Sequence, residues 1–120
     1  MEIHESAEDY LEAILKIKEK KGIVRSIDIV NEMGYSKPSI SIAMKRLREN
    51  GYITMDADNL ISLTESGREI AERIYTRHKI LTKCLIMLGV DKATAEKDAC
   101  KIEHDISEQT FDRILHFVEQ

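Results

Sequence analysis

The sequence lacks the features that mark secreted, membrane-spanning or disulfide-rich proteins. Its 120 residues include two cysteines, Cys84 and Cys100, which are too few for a disulfide framework. No apolar run approaches the roughly 20 residues that a membrane span requires, and no apolar secretory segment opens the sequence. Internal repeats and low-complexity linkers are lacking as well. These absences predict a cytoplasmic protein of one domain, or of one domain with a small appendage.

An excess of positive charge, which a nonspecific nucleic-acid binder would carry, is also absent. The formal net charge is −4, but it is unevenly distributed. Residues 21–55 contain six basic and three acidic side chains, so this window carries +3 and the remainder of the chain carries −7. A local basic patch in an acidic protein is typical of a sequence-specific binder whose second half is acidic.

The most informative stretch is segment 36–50, SKPSISIAMKRLREN, which predicts a helix. Ser36 can cap the first turn, Pro38 falls where its missing N–H costs little, and Gly51 marks the end. Apolar residues at i, i+3, i+4 and i+7 form one stripe that should be buried, namely Ile40, Ala43, Met44 and Leu47.

The opposite face of this helix combines small polar and basic side chains with the apolar Ile42. In a DNA major groove, lysine and arginine contact phosphates, serine contacts base edges or phosphates, and an apolar side chain contacts thymine methyl groups. An ordinary amphipathic helix with one stray isoleucine is the alternative at this point. The candidate DNA-contacting residues are Ser36, Lys37, Pro38, Ser39, Ser41, Ile42, Lys45 and Arg48.

The segments around this helix predict a winged helix-turn-helix. A first helix is expected over 6–20, and a second over 26–33 with Ile27 and Val30 inward and Gly34 at its end. Two β-rich stretches, 52–55 and 60–63, are joined by turn residues and predict a hairpin, the wing. Because the wing tip is acidic, we expect it to contribute little to phosphate binding.

Three further helices are predicted in the second half, and a winged helix-turn-helix is complete without the last two. The first of them runs over about 64–88, the next from Asp91 to about Ile106, and the last begins at Ser107. Apolar residues line one face of the first, at Ile70, Ile74, Leu81, Leu85 and Leu88. Since the apolar faces of the last two helices need a partner, a second copy of the chain is the simplest one. We therefore expect a mainly α fold, with a winged helix-turn-helix DNA-binding domain (1–70) and a helical metal-binding and dimerisation domain (71–120).

Residues of metal-ligand type are concentrated in segment 100–104. Cys100, Glu103 and His104 stand at i, i+3 and i+4, so a helix would project all three within an arc of about 100°. Thiolate, carboxylate and imidazole are all metal ligands. Asp9, Glu12 and His78 are further candidates on other helices. Each has a structural explanation when taken alone, so spacing leaves a metal site and a purely structural role equally open.

The sequence resembles the metalloregulatory repressors of the diphtheria toxin repressor and manganese transport regulator type. The resemblance covers nearly the whole chain. It is carried by SAEDYLE at 6–12, SKPSI at 36–40, LTESG at 63–67, RH at 77–78 and IEHDIS at 102–107. It implies a homodimeric winged-helix repressor that becomes competent for operator DNA when it binds Fe²⁺ or Mn²⁺.

Matched position by position, the resemblance also implies a metal-ligand set: Asp9, Glu12, His78, Cys100, Glu103 and His104. Asp9 is similar to the manganese-type members, whereas Cys100 agrees with the iron type in place of a glutamate. Thr82 and Glu96 stand where iron-type members keep a glutamate and a histidine of a second site. The set is thus mixed, and one or two metal ions per subunit are compatible with it. On the recognition helix, Ser36, Pro38 and Ile42 match the base-facing positions.

The sequence therefore predicts a metal-dependent transcriptional repressor of metal homeostasis genes. Its partners should be double-stranded operator DNA and a second copy of itself, with no membrane, no small-molecule substrate and no enzymatic activity. One alternative is a winged-helix regulator that ignores metal and senses redox state through Cys100. Another is a small metallohydrolase that holds an activated water, although no spare general base or oxyanion donor is evident.

Overall fold

The computed structural model describes residues 5–120, which form six α-helices and one two-stranded sheet. In chain order these are α1 (Glu5–Lys21), α2 (Ser26–Met33), α3 (Lys37–Glu49), β1 (Ile53–Met55), β2 (Ile61–Leu63), α4 (Glu65–Met87), α5 (Lys92–Ile102) and α6 (Glu108–Glu119). This order confirms the predicted mainly helical fold, with a helix-turn-helix and a wing followed by helices. The chain divides into two compact units, Met1–Glu72 and Arg73–Gln120, and α4 runs through both.

Among residues 5–120, no helix combines the length and the apolar character that crossing a membrane requires.

The core of the N-terminal unit gathers apolar side chains from its helices and its hairpin. The nearly fully buried members are Leu11, Ile14, Ile17, Val24, Ile29, Ile40, Met44, Leu47, Ile53, Ile61 and Ala71. The predicted stripe of α3 is confirmed, since three of its four members are buried and Ala43 is half-buried. The opposite face of α3 is therefore left to solvent.

One core prediction was wrong in α2. Ile27 is 45% exposed, whereas Ile29 is fully buried and Val30 is half-buried. At about 100° per residue, Ile27 and Ile29 point nearly opposite ways, so only one of them can face the core. A helix of eight residues is too short for its pattern to select the face, and packing against α1 and α3 selects Ile29. The predicted end at Gly34 is confirmed, with a left-handed φ of 73°.

The junction between α1 and α2 is held by Asp28. Its carboxylate accepts hydrogen bonds from the Lys21 ammonium and from the backbone N–H of Arg25. The Lys21 bond, followed by the Arg25 bond, holds the pKa of Asp28 below its ordinary value. Because the folded pKa is lowered, this contribution to stability is present at neutral pH and is lost as the pH falls through the acid range below that ordinary value.

The wing is an antiparallel hairpin in which Thr54 pairs with Ser62. Its turn is built by Asp56, whose Oδ1 accepts hydrogen bonds from the backbone N–H groups of Asp58 and Leu60, both at 2.9 Å. Ile61 N additionally donates to the Val24 carbonyl at 2.8 Å, so the segment before α2 is tied to β2. One acidic side chain of the wing tip is thus used to form the turn itself.

The start of α4 packs directly on the backbone that follows α3. Thr64 Oγ1 donates to the Gly51 carbonyl at 2.7 Å, and Thr64 N donates to the Tyr52 carbonyl at 3.0 Å. Gly67 lies so close that a Cβ at this position would overlap the Tyr52 carbonyl oxygen. Glycine is needed here because of this backbone approach.

The ends of two predicted helices are defined in the C-terminal unit. Leu88, the last residue of the predicted apolar face of α4, lies just beyond the end of that helix at Met87 and is 68% exposed. Helix α5 ends at Ile102 rather than near Ile106, and residues 103–106 form a turn. The predicted caps are confirmed, since the Asp91 side chain accepts from Thr94 N and the Ser107 side chain accepts from Thr110 N.

Gly67→Ala should destabilise the protein by about 1–3 kcal/mol, the usual cost of forcing extra volume into a packed site. The new methyl group would push α4 away from the Tyr52 backbone. Thermal unfolding followed by circular dichroism measures the effect. The matched control is Glu69→Ala, an exposed position of the same helix, which should change stability by less than about 0.5 kcal/mol. Equal unfolding temperatures for Gly67→Ala and the parent would contradict the close packing.

Candidate metal centre and nucleic-acid interface

The C-terminal unit places one carboxylate between two imidazoles. Glu103, at the end of α5, has 0% exposure, and its Oε2 lies 2.9 Å from Nδ1 of His78 on α4. Its Oε1 lies 3.5 Å from Nε2 of His104, whose side chain is only 2% exposed. Three side chains of metal-ligand type thus converge in a buried place.

These separations fit donor atoms that share one cation. Two ligands at right angles and about 2.1 Å from one ion lie about 3 Å apart, which is close to the separation of the His78 and Glu103 donor atoms. Among the described side chains, Glu103 Oε1 is buried without a hydrogen-bond partner. A carboxylate oxygen in that position is costly unless a positive charge compensates it. The residues present therefore fit a divalent metal.

Cys100 lies near the same carboxylate, one turn earlier on α5. Its Sγ is within 4.8 Å of a Glu103 oxygen, and the residue is exposed. Three other candidate ligands, His78, Cys100 and His104, thus lie around Glu103 in this unit. Glu103 is the C-cap of α5 and keeps right-handed helical backbone angles, and His104 belongs to the turn that follows.

The other two candidates lie on α1 in the N-terminal unit. Glu12 is buried, with Oε2 at 4.0 Å from Lys16 Nζ, and Asp9 is half-buried. Beside them, burial raises the pKa of Tyr10, and the charges of Tyr35 and Asp9 raise it further. The unit therefore keeps two carboxylates close to its core, where either could serve as a hard oxygen ligand.

Thr82 and Glu96, the positions where iron-type members keep ligands of a second metal site, differ in their surroundings. Thr82 Oγ1 is buried without a hydrogen-bond partner among the described residues, while Glu96 is exposed on α5. A threonine hydroxyl is a weaker cation ligand than the glutamate it replaces.

Arg77 is a buried residue for which the sequence predicted no role. It is buried beside His78, and its Nη1 donates to the carbonyl oxygens of Glu103 and Ile106, both at 3.1 Å. Its guanidinium carbon lies 5.3 Å from the centre of the Phe111 ring. The spacing indicates burial of Arg77, because it continues the apolar stripe of α4 three residues after Ile74.

All eight candidate DNA-contacting residues are exposed, at the start of α3 and along its outer face. Ser36 Oγ accepts from Ser39 N at 3.3 Å and donates to the Ser39 hydroxyl at 2.9 Å, so it fixes the start of the helix. Ile42 is 55% exposed, and Lys45 Nζ lies 4.0 Å from a Glu49 oxygen. The arrangement offers an apolar contact flanked by cations and hydroxyls.

Known proteins resemble this chain in both its N-terminal and its C-terminal part. Residues 2–59 match the DNA-binding domain of iron-dependent repressors, and residues 64–120 match their metal-binding and dimerisation domain. The transcriptional regulator MntR of Salmonella typhimurium is 34% identical over 97% of this chain and 74% of its own length. An uncharacterized HTH-type transcriptional regulator of Methanocaldococcus jannaschii is 34% identical over 97% of this chain and 94% of its own.

Solved structures agree as well. A manganese-dependent transcriptional repressor in complex with manganese superposes with a TM-score of 0.84 at 28% identity, covering 94% of this chain and 52% of that one. The metal-dependent transcriptional regulator MtsR gives a TM-score of 0.85 at 25% identity, covering 94% and 53%. The chain thus spans about half the length of these structures. The chain belongs to the iron-dependent repressor family, whose members are metal-dependent, DNA-binding transcriptional repressors and not enzymes.

Proposed function

We propose that this protein is a homodimeric repressor that binds operator DNA when it holds Fe²⁺ or Mn²⁺, and that it controls metal homeostasis genes in the cytoplasm. Residues 1–70 act as the DNA-binding domain and residues 71–120 as the metal-binding and dimerisation domain. The observation that carries the proposal is the buried Glu103 carboxylate, which has an imidazole nitrogen near each oxygen.

His78, Cys100, Glu103 and His104 hold the metal in the C-terminal unit. Asp9 and Glu12 complete the ligand set, an assignment that rests on the sequence resemblance of the first helix. A bound divalent ion supplies the positive charge that the buried carboxylates require. It favours the DNA-competent state only to the extent that these residues bind it more tightly in that state than in the other.

One metal ion per subunit is the count that the side chains favour. A carboxylate can bridge two ions, and Cys100 stands where the manganese type has a glutamate. Of the second-site positions of the iron type, Thr82 offers a hydroxyl and Glu96 is exposed. The chain has neither complete version of a two-metal site.

Operator recognition is assigned to the exposed face of α3. Ile42 and Pro38 contact thymine methyl groups, Ser36, Ser39 and Ser41 contact bases or phosphates, and the basic side chains contact phosphates. Dimerisation is assigned to the C-terminal unit, where large apolar side chains remain exposed at Ile86, Met87, Leu88 and Phe117. A two-fold dimer presents two such α3 helices to two half-sites.

Removing the metal or its central ligands should abolish specific DNA binding. With a chelator, or in Glu103→Ala or His104→Ala, operator affinity measured by fluorescence anisotropy should fall at least about 10–100-fold, while the protein remains a folded dimer. Asp105→Ala, an exposed acid next to His104, is the matched control and should bind like the parent. Repression by either ligand variant at the parental level, with metal present, would show that the site is misplaced. Operator binding unchanged by the chelator would favour the metal-independent regulator.

Ile42 and Lys45 should affect DNA binding in different ways. Ile42→Ala should lose roughly 1–3 kcal/mol on the preferred operator and little on random DNA, because it removes a base contact. Lys45→Ala should weaken binding to both and lower the salt slope by about one unit if it contacts a phosphate. Ile23→Ala, an exposed isoleucine outside α3, serves as control. Equal losses on both DNAs for Ile42→Ala would make Ile42 a merely structural residue.

Cys100→Glu should shift metal preference toward Mn²⁺ and add a second bridged ion. A thiolate is softer than a carboxylate and favours metals later in the Irving–Williams order, so the parent should prefer Fe²⁺ more strongly than the variant does. Anaerobic titration with both metals, reading affinity and metal count per subunit, measures the change. Cys84→Ser controls for loss of a thiol elsewhere. If the Fe²⁺ to Mn²⁺ affinity ratio is the same in parent and Cys100→Glu, Cys100 is not a ligand.

A further inference from the structure

The buried guanidinium of Arg77 has no part in metal ligation or DNA contact as described above. We propose that Arg77 is a positioning residue for the metal centre: it holds the turn Glu103–Ile106 in the one shape that presents Glu103 and His104 together. The inference rests on the metal site proposed above and adds to it a residue that touches no metal.

The first support is the way in which α5 ends. The last carbonyl groups of a helix have no partner within that helix, and α5 stops at Ile102. One nitrogen of Arg77, Nη1, donates to the carbonyls of Glu103 and Ile106, at 3.1 Å in both cases. Asp105 N closes the same turn from inside by donating to the Ile102 carbonyl at 3.0 Å. Arg77 thereby ties both ends of the turn to α4 through a single planar group.

The second support is that two consecutive residues of α4 hold the same glutamate. Arg77 binds the backbone carbonyl of Glu103, and His78 lies 2.9 Å from its carboxylate. Arg77 and His78 lie on the same turn of α4. A movement of the Glu103 backbone would therefore break the bond to Arg77, and a movement of its carboxylate would break the contact with His78. His104, which follows directly in the turn, takes its orientation from this arrangement.

The third support is that the arginine itself is held in place. Its guanidinium carbon stands 5.3 Å from the Phe111 ring centre, within the range of a cation–π contact. Burial alone does not require an arginine, because an apolar side chain in the stripe of α4 would stabilise the protein at least as well. The two carbonyl acceptors favour an arginine, since one guanidinium nitrogen offers two donors in a fixed planar geometry, whereas the three donors of a lysine sit on a flexible stem.

The test is a Co²⁺ titration of the metal-free full chain, followed by visible absorption without oxygen. Arg77→Met keeps a similar volume and should retain parental helicity, while its Co²⁺ affinity falls about 10–100-fold, the usual effect of losing a partner that orients ligands. Its absorption bands should also shift, because the ligand geometry is no longer fixed. Arg77→Lys should recover part of the affinity. Lys83→Met, an exposed cation on the same helix, should match the parent, and Glu103→Gln should lose the signal.

The outcomes separate this inference from the proposed function. If the parent itself binds no Co²⁺, the proposed metal-dependent function fails, and this inference fails with it. If the parent binds but Arg77→Met shows the same affinity and the same spectrum, the positioning role alone is overturned. If Arg77→Met does not fold, Arg77→Lys decides by the same two readouts. Failure of both variants to fold would make Arg77 a folding residue and overturn the role.

Discussion

The C-terminal unit is organised around the burial of one ionisable group, the carboxylate of Glu103. An isolated buried carboxylate is costly, so the surrounding chain has to supply donors or positive charge. His78 and His104 lie beside its two oxygens, while Arg77 binds its backbone carbonyl. The turn after Ile102 begins with Glu103 and His104, and the Glu103 carboxylate there lies 2.9 Å from His78 of α4. This arrangement fits the divalent metal that the proposed function requires.

The N-terminal unit is organised by close backbone packing, and one face of α3 remains exposed to solvent. The stripe of α3 fills the core, the wing is tied to Val24, and α4 begins against the Tyr52 backbone where only Gly67 fits. Because these contacts hold α3 from one side, its other face is not needed for packing. Ile42 can therefore remain exposed among hydroxyls and cations, a surface that suits a major groove better than bulk water.

Family membership and site chemistry together limit what the protein does. The iron-dependent repressor family couples a divalent metal to transcription control, and the mixture of carboxylate, imidazole and thiolate candidates here does not select between Fe²⁺ and Mn²⁺ by type alone. Affinity for first-row metals rises toward the end of the Irving–Williams order for any such set. Metal choice in the cell must then depend on availability as well as on the ligands.

The sequence by itself determined the element order, most of the helix ends, the buried stripe of α3 and the family, because these depend on local periodicity, capping and short motifs. Ser36, Gly34 and Asp91 act as the caps that their residue types predicted. Tertiary structure decided the features for which the local sequence pattern allows more than one outcome. It chose Ile29 over Ile27 because an eight-residue helix has two candidate faces, and it exposed Leu88 because the chain turns there. It ended α5 before Glu103 and gave Arg77 its carbonyl partners, since hydrogen bonds between residues about 26 positions apart leave no periodic trace in a sequence.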